Sequence, residues 1–167
     1  MIDEKAILHE ILRGYVLPVR GHHGVLHWAR VRENGLRLAE ATGADVEVVT
    51  LFAVFHDACR VNDARDDGHG QRGANLARCF RGSLVLLDDA RFDLLFDACR
   101  LHTDGLTEGP PTLLACWDAD RLDLGRVSIT PRPKRLCTDA ARGLVLWAHE
   151  RASRDHEESI VKASWGL

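Results

Sequence analysis

Several imidazole and carboxylate side chains stand where the surrounding sequence predicts buried helix faces, and Asp120 is the clearest of them. At about 3.6 residues per turn, its neighbours on the predicted helix are apolar. They are Leu113, Cys116, Trp117 and Leu124. A carboxylate on such a stripe must be paired, hydrogen-bonded or bound to a metal, because an isolated buried charge is very costly. Asp118 falls on roughly the opposite face, so we expect it on the helix surface or behind a metal ligand.

Four histidines and a second aspartate occupy comparable positions, most of them near predicted helix ends. His56 and Asp57 end the most apolar helix, and His102 closes the fifth helix. His27 lies in the first turns of the second helix, and His69 at the start of the fourth. One such residue alone is usually a satisfied core group, but a helical bundle can gather several in one pocket. Histidine nitrogens and carboxylate oxygens without thiolates suit zinc, manganese, iron, nickel or cobalt.

The elements that must position these groups are all predicted to be helices. The 167 residues form one expected domain, 1–167, an all-α bundle of six to seven helices without repeats or long linkers. The spacing predicts a first helix around 7–12, and a second from the turn at 21–24 to about 42. It predicts further helices over 44–60, 70–81, 88–102, 111–124 and 134–152. The 44–60 helix is apolar nearly all round and belongs at the centre of a bundle. A strand is its alternative, although the run has no period-two alternation.

Composition argues against several classes of protein. A formal net charge of -3 argues against a large nucleic-acid surface or binding to an anionic membrane. The most apolar stretch, 46–55, is too short to cross a bilayer as a helix. The N-terminus has neither a basic start nor an apolar signal core, so a cytoplasmic location is expected. Five cysteines without a C-x-x-C pair predict reduced, buried thiols rather than a disulfide framework or a cysteine zinc site.

In their order along the chain, the histidines and aspartates resemble the H…HD…H…H…D pattern of the HD-domain phosphohydrolase superfamily. The match runs from about residue 21 to 140, with its strongest pieces in AVFHDACR at 53–60, DGHGQRGANLA at 67–77 and DADRLDLGR at 118–126. An adjacent His-Asp alone is a weak signal. One that ends a buried helix, with an upstream His and a downstream ADRLD, is a strong signal. The resemblance implies an HD-like helical fold and a phosphohydrolase that cleaves a phosphate ester with metal-activated water.

The resemblance also implies one or two divalent ions per chain, from among Mn, Fe, Zn, Ni, Co and Mg. The ligands that it implies for the first ion are His27, His56, Asp57 and Asp120. His69 and His102 match the extra histidines of binuclear members, and could hold a second ion bridged through Asp57, contact substrate phosphate or transfer a proton. Asp57, His69 and His102 are therefore the expected catalytic residues.

One position departs from the pattern. Some nucleotide-cleaving members carry a catalytic acidic residue four positions beyond the His of the HD pair, where this chain has Arg60. A guanidinium suits bidentate phosphate binding. The alternative pairs Arg60 with Asp63 or Asp66 on the following loop. Arg72 and Arg121 adjoin proposed site residues and could also bind an anionic substrate, with ordinary salt bridges as the alternative.

Other histidines and other functions stay open on the sequence. His23 precedes His27 by four residues, so the two could share a face, but a turn or surface position is expected for His22 and His23. The expected partner is a small phosphorylated substrate, such as a nucleotide, and a homo-oligomer is compatible with the sequence. Two alternatives to a phosphohydrolase are an HD-type di-iron oxygenase and a non-catalytic module that binds a metal or a nucleotide.

Overall fold

The described part of the chain, residues 2–167 of a computed structural model, is built from α-helices. They are α1 (Glu4–Gly14), α2 (Val25–Thr42), α3 (Val46–Phe55), α4 (His69–Cys79), α5 (Asp89–Leu101), α6 (Pro111–Leu122) and α7 (Asp139–Ser153). Short helical turns follow at Asp123–Val127, Pro133–Arg135 and Val161–Trp165. The prediction of a single all-α bundle is confirmed. Within residues 2–167, no helix is long and apolar enough to span a membrane.

α3 is the central helix, as its all-round apolar sequence predicts. Every residue from Val48 to Phe55 is buried, and the helix packs against α2, α4, α5 and α6. Its N-terminus is fixed by Asp45, whose side chain accepts a hydrogen bond from the Val48 amide at 3.0 Å. The guanidinium of Arg91 on α5 binds the same carboxylate at 2.7 and 2.8 Å. These contacts fix the N-terminal end of α3, and the His-Asp pair follows its other end.

The predicted extension of α3 to residue 60 is wrong, because the helix ends at Phe55. The Nδ1 of His56 donates to the carbonyls of Phe52 and Ala53, both at 3.1 Å. A continuing helix would use the Ala53 carbonyl for the amide of Asp57. Tighter turns follow instead over residues 56–59. Asp57 is therefore presented from a turn rather than from a helix face.

α4 approaches its neighbours so closely that two of its positions require glycine. A Cβ added at Gly73 would lie 2.2 Å from the carbonyl oxygen of Phe55. One added at Gly70 would lie 2.4 Å from the carbonyl oxygen of Cys99, on α5. This close packing places His69, the first residue of α4, against the ends of both α3 and α5.

α7 begins later than the predicted 134–152 helix, at Asp139. The Asp118 carboxylate accepts from the amides of Cys137 and Thr138 at 2.7 and 2.9 Å. Thr138 in turn caps the helix, its side chain accepting from the Ala141 amide at 3.1 Å. The segment before residue 139 is thus bound to α6, and the helix starts only after it.

Candidate metal centre

The structure brings together all six of the histidines and aspartates that the sequence predicts at the site. The side chains of His27 and His56 are completely buried, and their Nε2 atoms lie 3.5 and 3.8 Å from Oδ1 of Asp120. Asp57 is buried between them and His69 and His102, which are also buried. These residues come from five different helices or helix ends, as the sequence predicts.

Four of these residues form a first set, consisting of His27, His56, Asp57 and Asp120. The Nε2 atoms of His27 and His56 are 3.0 Å apart. Oδ2 of Asp57 lies 3.7 Å from the first of these nitrogens and 3.9 Å from the second. Donor atoms of His27, His56 and Asp57 are close enough together to hold one metal ion, with the Asp120 oxygen beside them.

Asp57 also belongs to a second set, together with His69 and His102. Its Oδ1 lies 3.1 Å from Nε2 of His69 and 3.8 Å from Nε2 of His102, and these two nitrogens are 3.0 Å apart. This group too could hold a metal ion. Asp57 therefore faces the first set with Oδ2 and the second set with Oδ1.

The tautomer of each imidazole follows from the partner of its Nδ1. In all four cases Nδ1 lies against an oxygen that can only accept a hydrogen bond. These pairs are His27 with Asp123 Oδ2 at 2.7 Å, His56 with the Phe52 and Ala53 carbonyls at 3.1 Å, His69 with the Asp66 carbonyl at 2.6 Å, and His102 with the Cys99 carbonyl at 2.7 Å. Nδ1 therefore carries the proton in each neutral ring, and the lone pair of Nε2 points into the centre.

In the first set, two such lone pairs face each other at 3.0 Å. A proton or a cation must lie between them to remove their repulsion. His27 does not supply that proton, because burial, with help from Arg126 and His56, holds the pKa of His27 well below its usual value. Metal–imidazole bonds of about 2.0–2.1 Å allow two nitrogens on one ion to lie this far apart. The first set therefore fits a divalent cation.

In the second set, either a proton or a cation can separate the facing nitrogen and oxygen atoms. Burial lowers the pKa of His102 to about 4, with a smaller contribution from His56. Burial also acts to lower the pKa of His69, but the hydrogen bond to Asp57, the charge of Asp57 and the Asp66 carbonyl together outweigh burial and raise that pKa. His69 can therefore hold a proton shared with Asp57, or the set can hold a second cation.

Both carboxylates of the centre remain ionised. Burial alone would raise the pKa of Asp57, but His56 and hydrogen bonds from His23 and His69 hold it well below its usual value. Burial also opposes ionisation of Asp120, and His56 and Arg126 outweigh it, so that pKa too is lowered. Ionised carboxylates and neutral imidazoles are the forms that bind metals.

A carboxylate that the sequence analysis missed holds His27 in place. Asp123 accepts from Nδ1 of His27 through Oδ2, and from Nε of Arg30 through Oδ1 at 2.7 Å. Asp123 and Arg30 are both buried. A carboxylate behind a histidine fixes the ring orientation and raises its basicity as a ligand. The available signal was spacing, because Asp123 follows Asp120 by three residues and lies on the same side of the helix.

His23 is also part of the centre, although only a turn or surface position was expected for it. It does lie in the turn before α2, but only 7% of it is exposed. Its Nδ1 lies 2.7 Å from Oδ2 of Asp57, and its carbonyl accepts from the Tyr15 hydroxyl at 2.8 Å. The four-residue spacing to His27 was the one signal for it.

The prediction for Asp118 is wrong, because this residue is completely buried and lies behind no ligand. Its carboxylate accepts from two amides and a hydroxyl of the segment before α7. The side chain of Asp120, by contrast, is 18% exposed. Periodicity wrongly predicted that Asp120 is more buried than Asp118, although it correctly selected Asp120 as the aspartate that reaches the centre.

Of the three arginines predicted to bind substrate, Arg60 reaches the centre. Its Nη1 lies 3.2 Å from Nε2 of His69 and 3.7 Å from Oδ1 of Asp57. Arg72 instead pairs with Asp66 at 2.7 Å. Asp66 is therefore bound by Arg72 and not by Arg60, the partner considered in the sequence analysis. Arg60 therefore stays available to the centre.

Arg121 points elsewhere, and an arginine that the sequence analysis missed lies at the centre. The guanidinium of Arg121 donates to the carbonyls of Leu106 and Arg135 at 2.7 and 3.0 Å. Arg126, five residues further on, has its Nη2 3.8 Å from Oδ1 of Asp120. No periodic pattern marked Arg126, because it lies in the short helical turn after α6.

A surface pocket gives access to the second set. It has a volume of about 440 Å³, and Arg60, His69, Thr103 and Asp104 are among the residues that line it. Of the other side chains of the centre, those of His27, His56 and Asp57 are buried, whereas that of Asp120 is 18% exposed. The pocket therefore offers a route to the centre beside His69, and the centre also borders the surface at Asp120.

Comparisons of the chain with models of known protein families, with curated proteins and with solved structures each gave no match. What the centre does must therefore be inferred from its own side chains.

Proposed function

We propose that this protein is a metal-dependent phosphohydrolase that cleaves a phosphate ester of a nucleotide or another small phosphorylated metabolite. The observation that carries the proposal is the pair of Nε2 lone pairs on His27 and His56, 3.0 Å apart, beside the carboxylates of Asp57 and Asp120. His27, His56, Asp57 and Asp120 would hold the first ion, one of Mn, Fe, Zn, Ni, Co or Mg.

A divalent ion held by this set supplies a Lewis acid that lowers the pKa of a coordinated water and polarises a phosphoryl oxygen. The protein side chains supply the remaining functions. Asp57 and Asp120 are ionised and balance the charge of the cation. His69 lies at the pocket and shares a hydrogen bond with Asp57, so it can donate a proton to the leaving oxygen. His102, behind it, holds a proton-accepting nitrogen towards His69.

Arg60 supports a phosphorylated substrate in particular. It is a buried cation at the entrance side of the centre, next to His69 and lining the same pocket. A guanidinium presents paired N–H groups that match phosphate oxygens. Arg60 does not form the alternative salt bridge to Asp66 on the loop, because Asp66 pairs with Arg72.

Metal analysis and an activity panel test the proposal. The purified protein is expected to contain at least one divalent ion per chain by inductively coupled plasma analysis, and to cleave at least one member of a phosphoester panel when loaded with its preferred metal. Asp57→Ala and Asp120→Ala are expected to lose both the ion and the activity. Asp97→Asn is a control on the surface of α5, where Asp97 pairs with Arg100. Retention of metal and activity by folded Asp57→Ala or Asp120→Ala would refute the proposal.

An HD-type di-iron oxygenase is the second candidate, and the sharing of Asp57 by two possible metal sets favours it. Protein purified without air would then contain two irons per chain and consume oxygen with a suitable substrate. If the protein binds metal but turns over neither esters nor oxygen, the metal has a structural role in a non-catalytic module.

A further inference from the structure

Three arginine side chains beside the centre are at least nine-tenths buried, but they differ in how their charge is compensated. Arg30 is 3% exposed and is bonded to the Asp123 carboxylate at 2.7 Å. Arg60 is 9% exposed and Arg126 is 6% exposed. Among the described residues, neither of these two has a carboxylate within hydrogen-bond distance. Their nearest carboxylate oxygens are those of the centre itself, at 3.7 Å for Arg60 and 3.8 Å for Arg126.

Both guanidiniums are held in place by backbone carbonyls. Nε and Nη1 of Arg126 donate to the carbonyls of His22 and Asp123 at 3.0 and 3.1 Å. Nη2 of Arg60 donates to the Ala64 carbonyl at 2.6 Å, and its Nε to the Asn62 carbonyl at 3.4 Å. In the part of the chain that the structure describes, Nη2 of Arg126 is left without a hydrogen bond, whereas Nη1 of Arg60 contacts the His69 ring, 3.2 Å from its Nε2. In each arginine this terminal nitrogen is the one nearest to a carboxylate of the centre. Two fixed cations thus each direct one terminal nitrogen towards the centre, Arg126 with a free donor and Arg60 with one that contacts His69.

The two arginines lie on different flanks of the centre. Nη1 of Arg60 is next to Asp57 and His69, on the side of the second set. Nη2 of Arg126 is next to Asp120, on the side of the first set. A buried charge without a partner is costly, and it is retained where a ligand of opposite charge binds.

We infer that Arg60 and Arg126 bind the substrate phosphate from two flanks and select a phosphomonoester dianion over a phosphodiester, an inference that rests on the proposed function. The charges of the two arginines cancel those of Asp57 and Asp120, so a dianion is needed to match one divalent ion. A phosphomonoester also has three non-bridging oxygens, one for the ion and one for each guanidinium. A phosphodiester has one negative charge and two such oxygens, so one buried guanidinium would keep no partner.

Hydrolysis of matched esters tests this selectivity. We expect the metal-loaded protein to cleave p-nitrophenyl phosphate with a higher kcat/KM than bis(p-nitrophenyl) phosphate. Arg60→Lys and Arg126→Lys keep the positive charge but lose the paired N–H donors of the guanidinium group. Each should lower kcat/KM for the monoester by about tenfold or more. Their effect on the diester should be about threefold or less, since it uses fewer of these donors. Arg142→Lys is the control, because Arg142 also donates to two backbone carbonyls but lies at the start of α7.

A merely structural role for the arginines predicts a different result. Misplaced ligands would lower the activity on both esters together and reduce the metal content. Metal stoichiometry and thermal unfolding are therefore measured for every variant. Equal loss on the two esters, or a parent protein that prefers the diester, would overturn the inference.

Binding of inorganic phosphate separates this inference from the proposed function. If no member of the phosphoester panel is cleaved with any of the six metals, the proposed function is contradicted, but calorimetry on the metal-loaded parent protein still decides the inference. Binding of inorganic phosphate but not of dimethyl phosphate supports it. Equal binding of the two, or no binding of phosphate, overturns it. This comparison needs no variant, so it holds even if the lysine variants fail to fold.

Discussion

Asp123→Asn tests the proposal that the first set is a metal centre. It changes the hydrogen-bond partner of His27 but none of the four proposed ligands. Asp123 accepts hydrogen bonds from Nδ1 of His27 and from Arg30, and its side chain is 1% exposed. Asparagine has nearly the same shape, but its amide nitrogen can only donate. One of the two donors therefore loses its acceptor, and His27 loses the carboxylate that fixes its tautomer.

The structure allows the size of two separate effects to be estimated. Loss of a carboxylate behind a metal-binding histidine weakens metal affinity by about 10–100-fold, which corresponds to about 1.4–2.7 kcal/mol. Independently, the buried guanidinium of Arg30 loses its counter-charge, so the free energy of unfolding should fall by about 3–5 kcal/mol. The first effect is specific to a metal centre, whereas the second is expected for any buried ion pair.

The two effects are measured by different assays. Competition with a chromophoric chelator gives the metal affinity of the folded protein, and denaturant unfolding of the metal-free protein gives its stability. Asp118→Asn is a matched control, because Asp118 is equally buried but binds only the segment before α7. It should lower stability and leave metal affinity unchanged. The reasoning is refuted if folded Asp123→Asn binds metal as tightly as the parent, or if Asp118→Asn weakens binding to the same extent.

Three further predictions concern metal removal and two helix contacts. Chelation should lower the unfolding midpoint in a reversible way, since an ion at 100 times its Kd adds about 2.7 kcal/mol, and an unchanged midpoint in scanning calorimetry would contradict a bound ion. Gly70→Ala forces a Cβ to 2.4 Å from the Cys99 carbonyl and should destabilise by about 1–3 kcal/mol in denaturant unfolding. Gly143→Ala, with nothing within 4 Å, should be neutral or stabilise by about 0.5–1 kcal/mol, and equal losses would refute the packing argument. Asp45→Ala should cost about 1–2 kcal/mol by removing the α3 cap. The Arg91 hydrogen bond lowers the pKa of the Asp45 carboxyl in the folded protein. The stabilisation by this carboxylate is therefore present above its pKa in the unfolded chain, and should be lost as the pH falls through its pKa in the folded protein.

The sequence was sufficient to predict the helices, since α3 is apolar nearly all round and the others have a periodic apolar face to bury. α2 ends at Thr42, where Gly43 adopts a φ of 74°, and α6 begins at Pro111, both as predicted. The errors lie at ends that a side chain determines. α3 stops at Phe55 because the His56 ring takes a carbonyl that the next turn needs. Such a competition depends on a rotamer, which the apolar pattern does not specify.

The six predicted site residues were singled out as polar groups on apolar faces or near helix ends, and their expected roles came from the resemblance of their order along the chain to a known pattern. The apolar-face signal reports on the face of a residue's own helix and not on what covers it. Asp118 illustrates the limit, since the face opposite the apolar stripe is covered by the segment around Thr138. Burial of Asp118 therefore comes from a contact between residues that are distant in the sequence, to which periodicity is blind.

The residues that were missed share a different property, because they act on the centre from turns. His23 precedes α2, while Asp123 and Arg126 belong to the short helical turn that follows α6. A turn has no periodic apolar face, so a polar residue there does not look out of place, and only the spacing to His27 and to Asp120 pointed to His23 and Asp123. These are nevertheless the residues that orient Asp57, fix the His27 ring and direct a cation at Asp120. Apolar periodicity can therefore indicate polar side chains that converge on a buried centre, but most of the contacts that position them become visible only when the chain is folded.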